Sequence, residues 1–191
     1  TASRFLQKHA RSKGPSLYRH YPASTVLWPS PTPAQIGTKS AAAGRDPALI
    51  SGTDWLPDGI FEVQQTGPTT GAIVWEWHMM DHVIQDFDST KPNFGVVADH
   101  PELLDINFPP KVTSNGDFNH CNSLSYDPGS DIIILNSPFQ NEFYFIDHST
   151  TTAEAASHTG GTHGKGGDFL YRWGNPQAYG AGTAADQKLF F

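Results

Sequence analysis

Cysteine is nearly missing: Cys121 is the only one in 191 residues, so no intrachain disulfide can close and no cysteine-based zinc site can form. The count leaves the redox compartment, and with it the localisation, open. Nowhere does an uninterrupted apolar run approach the ~20 residues of a membrane-spanning helix, so no membrane span is expected. The apolar stretch of about 7–15 residues that marks a secretory signal is lacking as well. Charged residues are few, at 16%. In their place stand 18 Gly, 15 Pro and 12% aromatics, a turn-rich composition unlike a helical bundle, a coiled coil or a disordered tail. At this length the chain is one domain or a piece of a larger one.

Acidic residues are absent from positions 1–45, which carry Arg4, Lys8, Arg11, Lys13, Arg19, Lys39 and Arg45. The other five of the 12 basic residues stand against all 19 acidic ones, a net charge of −14 from Asp46 onward. Residues 1–43 are therefore set apart as a basic, irregular segment and 44–191 as the domain. The leader has a transit-peptide-like composition without a clear amphipathic face, so a flexible basic arm, or sequence foreign to the domain, is the preferred reading. An acidic folded part repels phosphates, and no nucleic acid is expected as a partner.

Order begins near Asp46. Residues 60–64 alternate apolar with polar, 65–71 read as a turn segment, and 72–77 form a second β-prone run, together a hairpin. Residues 122–126, 131–136, 142–147 and 169–174 then supply four consecutive antiparallel strand candidates. Asp127-Pro128-Gly129-Ser130 is a turn, and residues 148–167 are a long Thr/Ala/Gly/His loop whose segment 159–167 reads as a flexible insertion. Each set closes a hairpin on Trp, at Trp77 and Trp173. Repeated sheets with aromatic punctuation predict an all-β chain, a β-propeller fragment of about one full four-stranded blade plus part of another, with long loop insertions. A β-sandwich is the competing all-β reading.

Among nine His, His78-Met79-Met80-Asp81-His82 places two imidazoles four apart, which on a helix would share one face as a metal pair requires. A third ligand is only nearby in sequence, at Asp86, Asp88, Asp99 or His100. The favoured reading is a short helix whose His and Asp residues bond their neighbours, so no metal and no cofactor are expected. His120-Cys121-Asn122 is more informative: in an extended strand His120 and Asn122 point to one side, offering an imidazole and an amide to an anion, while Cys121 packs on the other. The segment 159–167 lacks the spacing of a phosphate-binding loop, and no Gly-x-Ser-x-Gly elbow occurs.

Several runs resemble bacterial-type arylsulfotransferases (aryl-sulfate sulfotransferases). They are Gly44-Arg45-Asp46-Pro47-Ala48-Leu49, Ile73-Val74-Trp75-Glu76-Trp77-His78, Asp81-His82-Val83-Ile84-Gln85-Asp86 and Val97-Ala98-Asp99-His100-Pro101-Glu102-Leu103, followed by His120-x-Asn122-Ser123-Leu124-x-Tyr126, residues 146–155 and Tyr171-Arg172-Trp173-Gly174-Asn175-Pro176. The resemblance spans residues 44–191. It implies a six-bladed propeller that moves a sulfuryl group from a phenolic sulfate ester to a phenol through a sulfohistidine, without a nucleotide donor. Its donor would be an aryl sulfate and its acceptor a phenol. His120 and Asn122 match the family's His-x-Asn pair and are the expected catalytic residues, with His78 and His82 as substrate-binding candidates. Three features depart from the family. Ser137-Pro138 stands where a basic side chain usually follows Ser, and the His implied as nucleophile would come after Leu189-Phe190-Phe191. The upstream His-His-Asp segment is not evident. The expectation is thus a partial arylsulfotransferase, catalytically incomplete as given; the alternative is a non-catalytic propeller binding small anionic or phenolic ligands, or acting as a scaffold.

Overall fold

The computed structural model describes residues 42–49, 57–108 and 118–189. The expectation placed on residues 1–41, a flexible basic arm or sequence foreign to the domain, lies outside the described residues. Within them the chain is mostly strand with little helix, as the all-β reading expects.

Strands β1 (Gly59–Gly67) and β2 (Thr70–His78) form an antiparallel hairpin. Its loop is Pro68-Thr69 alone, shorter than the turn read over 65–71. The ladder shifts register between Glu62 and Val63 and again between Gln65 and Gly67, irregularities that let Gly67 and Gly71 stay inside the strands. The tip of β2 projects into solvent at Ile73 and Val74, while Trp75 and Trp77 alternate into the core. A two-residue parallel pair follows, β3 (Val83–Ile84) with β4 (Leu104–Asp105), in a stretch where the sequence offers no strand candidate. Strands of two residues leave no alternation to detect.

The four strand candidates form one sheet in the order β5 (Leu124–Asp127), β6 (Ile132–Ser137), β7 (Glu142–Asp147) and β8 (Phe169–Trp173), every neighbouring pair antiparallel. β-branched and aromatic residues dominate the central strands, and period two sends Ile133, Leu135, Tyr144 and Ile146 to the core. The β5–β6 turn closes as its residues require: Asp127 accepts from the Gly129 N–H at 3.0 Å and from the Ser130 hydroxyl at 2.5 Å.

One apolar cluster joins the parts, with Ile60, Trp75, Trp77 and Met79 from the hairpin side meeting Leu104 and Ile106 and the inner face of the four-stranded sheet. Cys121 lies in this cluster as a packed small residue, as the sequence suggests. The opposite face of the sheet is less covered. Phe143 stacks on Trp173 and Phe145 meets Tyr171 edge to face, yet Tyr171 stays 57% and Trp173 42% exposed.

A buried ion pair, invisible in sequence, ties β8 to its surroundings. The Arg172 guanidinium donates to both Glu142 carboxylate oxygens and to the backbone carbonyls of Leu103, at 2.9 Å, and Pro101, at 3.3 Å. Burial is the largest single influence and would lower the Arg172 pKa, but the Glu142 carboxylate, joined by Tyr144 and Tyr179, holds it above its ordinary value.

Candidate functional site

The expected pair His120 and Asn122 does not open a strand. β5 starts at Leu124, and His120 sits at φ 54° in the left-handed region, so the rule placing alternate residues on one side of an extended strand does not apply there. Both side chains are nevertheless exposed, while Asn119 and Cys121 between them and the core are buried. Their neighbours fix the segment. The Phe139 N–H donates to the Asn119 carbonyl at 3.3 Å, the Asn119 amide to Ser137 Oγ at 3.1 Å, and the Cys121 N–H to Asp58 Oδ2 at 2.9 Å. Pro138, where the resemblance implies a basic side chain, instead starts a 3-10 turn, Pro138–Gln140. That turn lays the Phe139 ring parallel to His120, with centroids 4.9 Å apart at 11°. An imidazole supported by a phenyl ring and an exposed amide thus share one end of the four-stranded sheet.

His78 and His82 do not share a helix face. β2 runs through His78, the turn Met79–Asp81 is 3-10 and buries Met79, and His82 follows it directly. His78 remains near Glu76, at 3.4 Å, with its ring edge on Phe61. His82 is fully buried, its ring stacked on Trp77 with centroids 5.3 Å apart and planes parallel to within 2°. Its Nε2 donates to the Ala155 carbonyl at 2.8 Å, and its Nδ1 lies 2.8 Å from Asp168 Oδ1. The same carboxylate oxygen receives His158 Nδ1, also at 2.8 Å.

The loop after β7 brings these partners in, and it is tied down rather than a loose insertion. It begins with a short helix, α1 (Thr152–Ala155), whose capping box joins Thr151 and Glu154. The His163 N–H donates to Asp147 Oδ2, the Thr162 N–H to Ser149 Oγ, and the Gly167 N–H to the Ser157 carbonyl. Trp77 Nε1 donates to the Gly167 carbonyl at 2.7 Å. Gly167 is required by close approach: a Cβ there would stand 2.1 Å from the Ala155 oxygen and 2.6 Å from His82 Nε2.

Outside this cluster a cleft of about 440 Å³ is lined by His100, Glu102, Leu103, His158, Lys165 and Asp168. His100 is bonded to Glu102 at 3.0 Å, and Lys165 forms no ion pair among the described residues. His82, His158 and Asp168 are the one group among the described residues whose donor atoms could hold a metal ion. The spacing raises His82 as half of a possible pair, although the favoured sequence reading is structural; of the nearby candidates, Asp86 and Asp99 are exposed and Asp88 half-buried, and only His100 lines the cleft. The true neighbours are 76 and 86 residues away along the chain, and only the Gly166-Gly167-Asp168 run hinted that backbone packs tightly there.

No protein-family model matches the chain, and neither the curated proteins nor the solved structures provide a match.

Proposed function

We propose that the chain forms part of an arylsulfotransferase-like β-propeller in which His120 and Asn122 bind the sulfuryl group of an aryl sulfate ester. The observation that carries this reading is the presentation of His120, exposed and left-handed between buried neighbours, its ring parallel to Phe139. A non-glycine residue in that conformation costs about 1–2 kcal/mol per residue, and such strain concentrates where a side chain has a task. Imidazolium and amide N–H groups suit sulfuryl oxygens, and an aromatic surface beside them suits an aryl ring. The propeller is supported by the four-stranded antiparallel meander and by its half-covered outer face, which a neighbouring blade would bury. On this reading the β1–β2 hairpin belongs to a second blade.

In the implied reaction a His nitrogen attacks sulfur as the ester S–O bond breaks and the phenolate leaves; an acceptor phenol oxygen then takes the sulfuryl group as the N–S bond of the sulfohistidine breaks, and the phenol's proton balances the phenolate released in the first step. His120 and Asn122 would offset charge on the sulfuryl oxygens in both steps. Pro138 favours a second reading, a propeller that binds anionic or phenolic ligands without turnover, since proline supplies no donor where the resemblance implies a basic group. Calorimetric titration with 4-nitrophenyl sulfate tests the site, and absorbance of released 4-nitrophenol separates turnover from binding. The expected result is weak binding that His120→Ala abolishes. Equal affinity in both proteins refutes the assignment.

A further inference from the structure

We propose that His82, His158 and Asp168 form a binding site for a divalent transition-metal ion, with open coordination facing the cleft that holds His100, Glu102 and Lys165. The inference goes beyond the aryl sulfate reading, uses neither His120 nor Asn122, gives His82 a ligand role in place of the substrate-binding one the resemblance implies, and departs from the sequence expectation that no metal is bound.

The hydrogen-bond inventory leads to it. The Ala155 carbonyl can only accept, so His82 Nε2 carries a proton and neutral His82 has its lone pair on Nδ1. That lone pair aims at a carboxylate oxygen 2.8 Å away, which receives a second imidazole nitrogen at the same distance. The His82 lone pair and the carboxylate therefore need a proton or a metal ion between them, while His158 Nδ1 meets the same oxygen either as an N–H donor or, in its other tautomer, as a third lone-pair ligand. A ligating His typically donates its other ring N–H to a backbone carbonyl or carboxylate, which fixes its tautomer and orientation, and His82 does so to Ala155. The Trp77 stack and the tight approach of Gly167 hold that ring in one position.

Geometry and ligand type agree. One donor atom from each of the three residues lies within 4.8 Å of the others. An ion with bonds of about 2.0–2.2 Å needs the His82 and Asp168 atoms, 2.8 Å apart, to separate slightly and His158, whose side chain is 60% exposed, to turn a lone pair inward. His82 and Asp168 are buried and preorganised, and the third ligand closes from the solvent side. Two imidazoles and one carboxylate suit Zn²⁺, Co²⁺ or Fe²⁺ rather than Mg²⁺ or Ca²⁺, which prefer all-oxygen shells. Three protein ligands leave room for water or an anion at the cleft.

The test is calorimetry of the chelator-treated full chain with Zn²⁺, and visible d–d absorption after adding Co²⁺. Wild type should bind one ion and give the intense spectrum of a low-symmetry Co²⁺ site. His158→Ala, at an exposed position that leaves the core intact, and the isosteric Asp168→Asn should each weaken binding by on the order of 100-fold and remove the spectrum. His163→Ala, on the same loop, should change neither, and circular dichroism shows that each variant is folded. Absence of a Zn²⁺ isotherm in wild type, or equal affinity in folded His158→Ala, overturns the proposal and leaves the cluster as two imidazoles bonded to a carboxylate.

Discussion

Replacing Arg172 with Met should destabilise the protein more than any surface substitution, because it strands a carboxylate in the core. Glu142 has no exposed side-chain surface and Arg172 only 4%. Removing one member of such a pair costs about 3–5 kcal/mol through the uncompensated charge. The carbonyls of Leu103 and Pro101 lose their donor as well, at roughly 1 kcal/mol each, and the guanidinium 4.5 Å from the Tyr179 ring is lost with them. Against a usual total of about 5–15 kcal/mol, this is a large share. At roughly 2–4 °C per kcal/mol for a domain of this size, the melting temperature should fall by more than about 10 °C. Urea denaturation followed by tryptophan fluorescence measures the loss directly. Adding Glu142→Gln removes the stranded charge, so the double variant should recover most of the stability. A loss below about 1 kcal/mol in Arg172→Met, or a double variant no better than the single, would refute the buried-pair argument.

Three further outcomes follow from the packing. Burial pushes the Asp105 carboxyl up to about 6 from 3.8, with Asp86 adding to the shift while the Asn107 N–H, Arg172 and Arg45 oppose it. The fold thus favours the protonated form, so this contribution is fully present below about pH 4 and is lost as pH rises through 6; denaturation at several pH values should show a decline of at most about 3 kcal/mol that Asp105→Asn abolishes. Gly167→Ala forces a methyl against the Ala155 carbonyl and His82, and should cost about 1–3 kcal/mol by denaturant titration, whereas Gly164→Ala, with no atom near its Cβ position, should lack that steric penalty and cost less despite its positive φ. The half-covered face at Tyr171 and Trp173 should make the chain self-associate in light scattering, and Tyr171→Lys with Trp173→Lys should shift it toward monomer; a strictly monomeric wild type would count against an uncovered blade.

Strands long enough to show alternation or a β-branched run were legible in the sequence: the four from Leu124 to Trp173, the hairpin ending at Trp77, and the turn at Asp127-Pro128-Gly129-Ser130. Strands of two residues, Val83–Ile84 and Leu104–Asp105, carry no period and were not. The hairpin loop was overestimated because Gly67 and Gly71 look like breakers, although a bulged ladder absorbs them. The extended conformation expected at His120 failed because long-range bonds at Asn119 and Cys121, to Ser137 and Asp58, set the backbone there instead of local propensity. The cluster at His82 was half legible. A buried His four residues from another suggests a site, but its partners come from a loop whose path only the tertiary packing defines, and the Glu142–Arg172 pair is hidden for the same reason.

The most direct measurement of the central claim is nuclear magnetic resonance of the chain with ¹⁵N-labelled His and Asn during titration with 4-nitrophenyl sulfate. The His120 imidazole and the Asn122 side-chain amide should shift together and saturate, and His120→Ala should remove the Asn122 response. Saturable shifts at other histidines with His120 and Asn122 unmoved would contradict it.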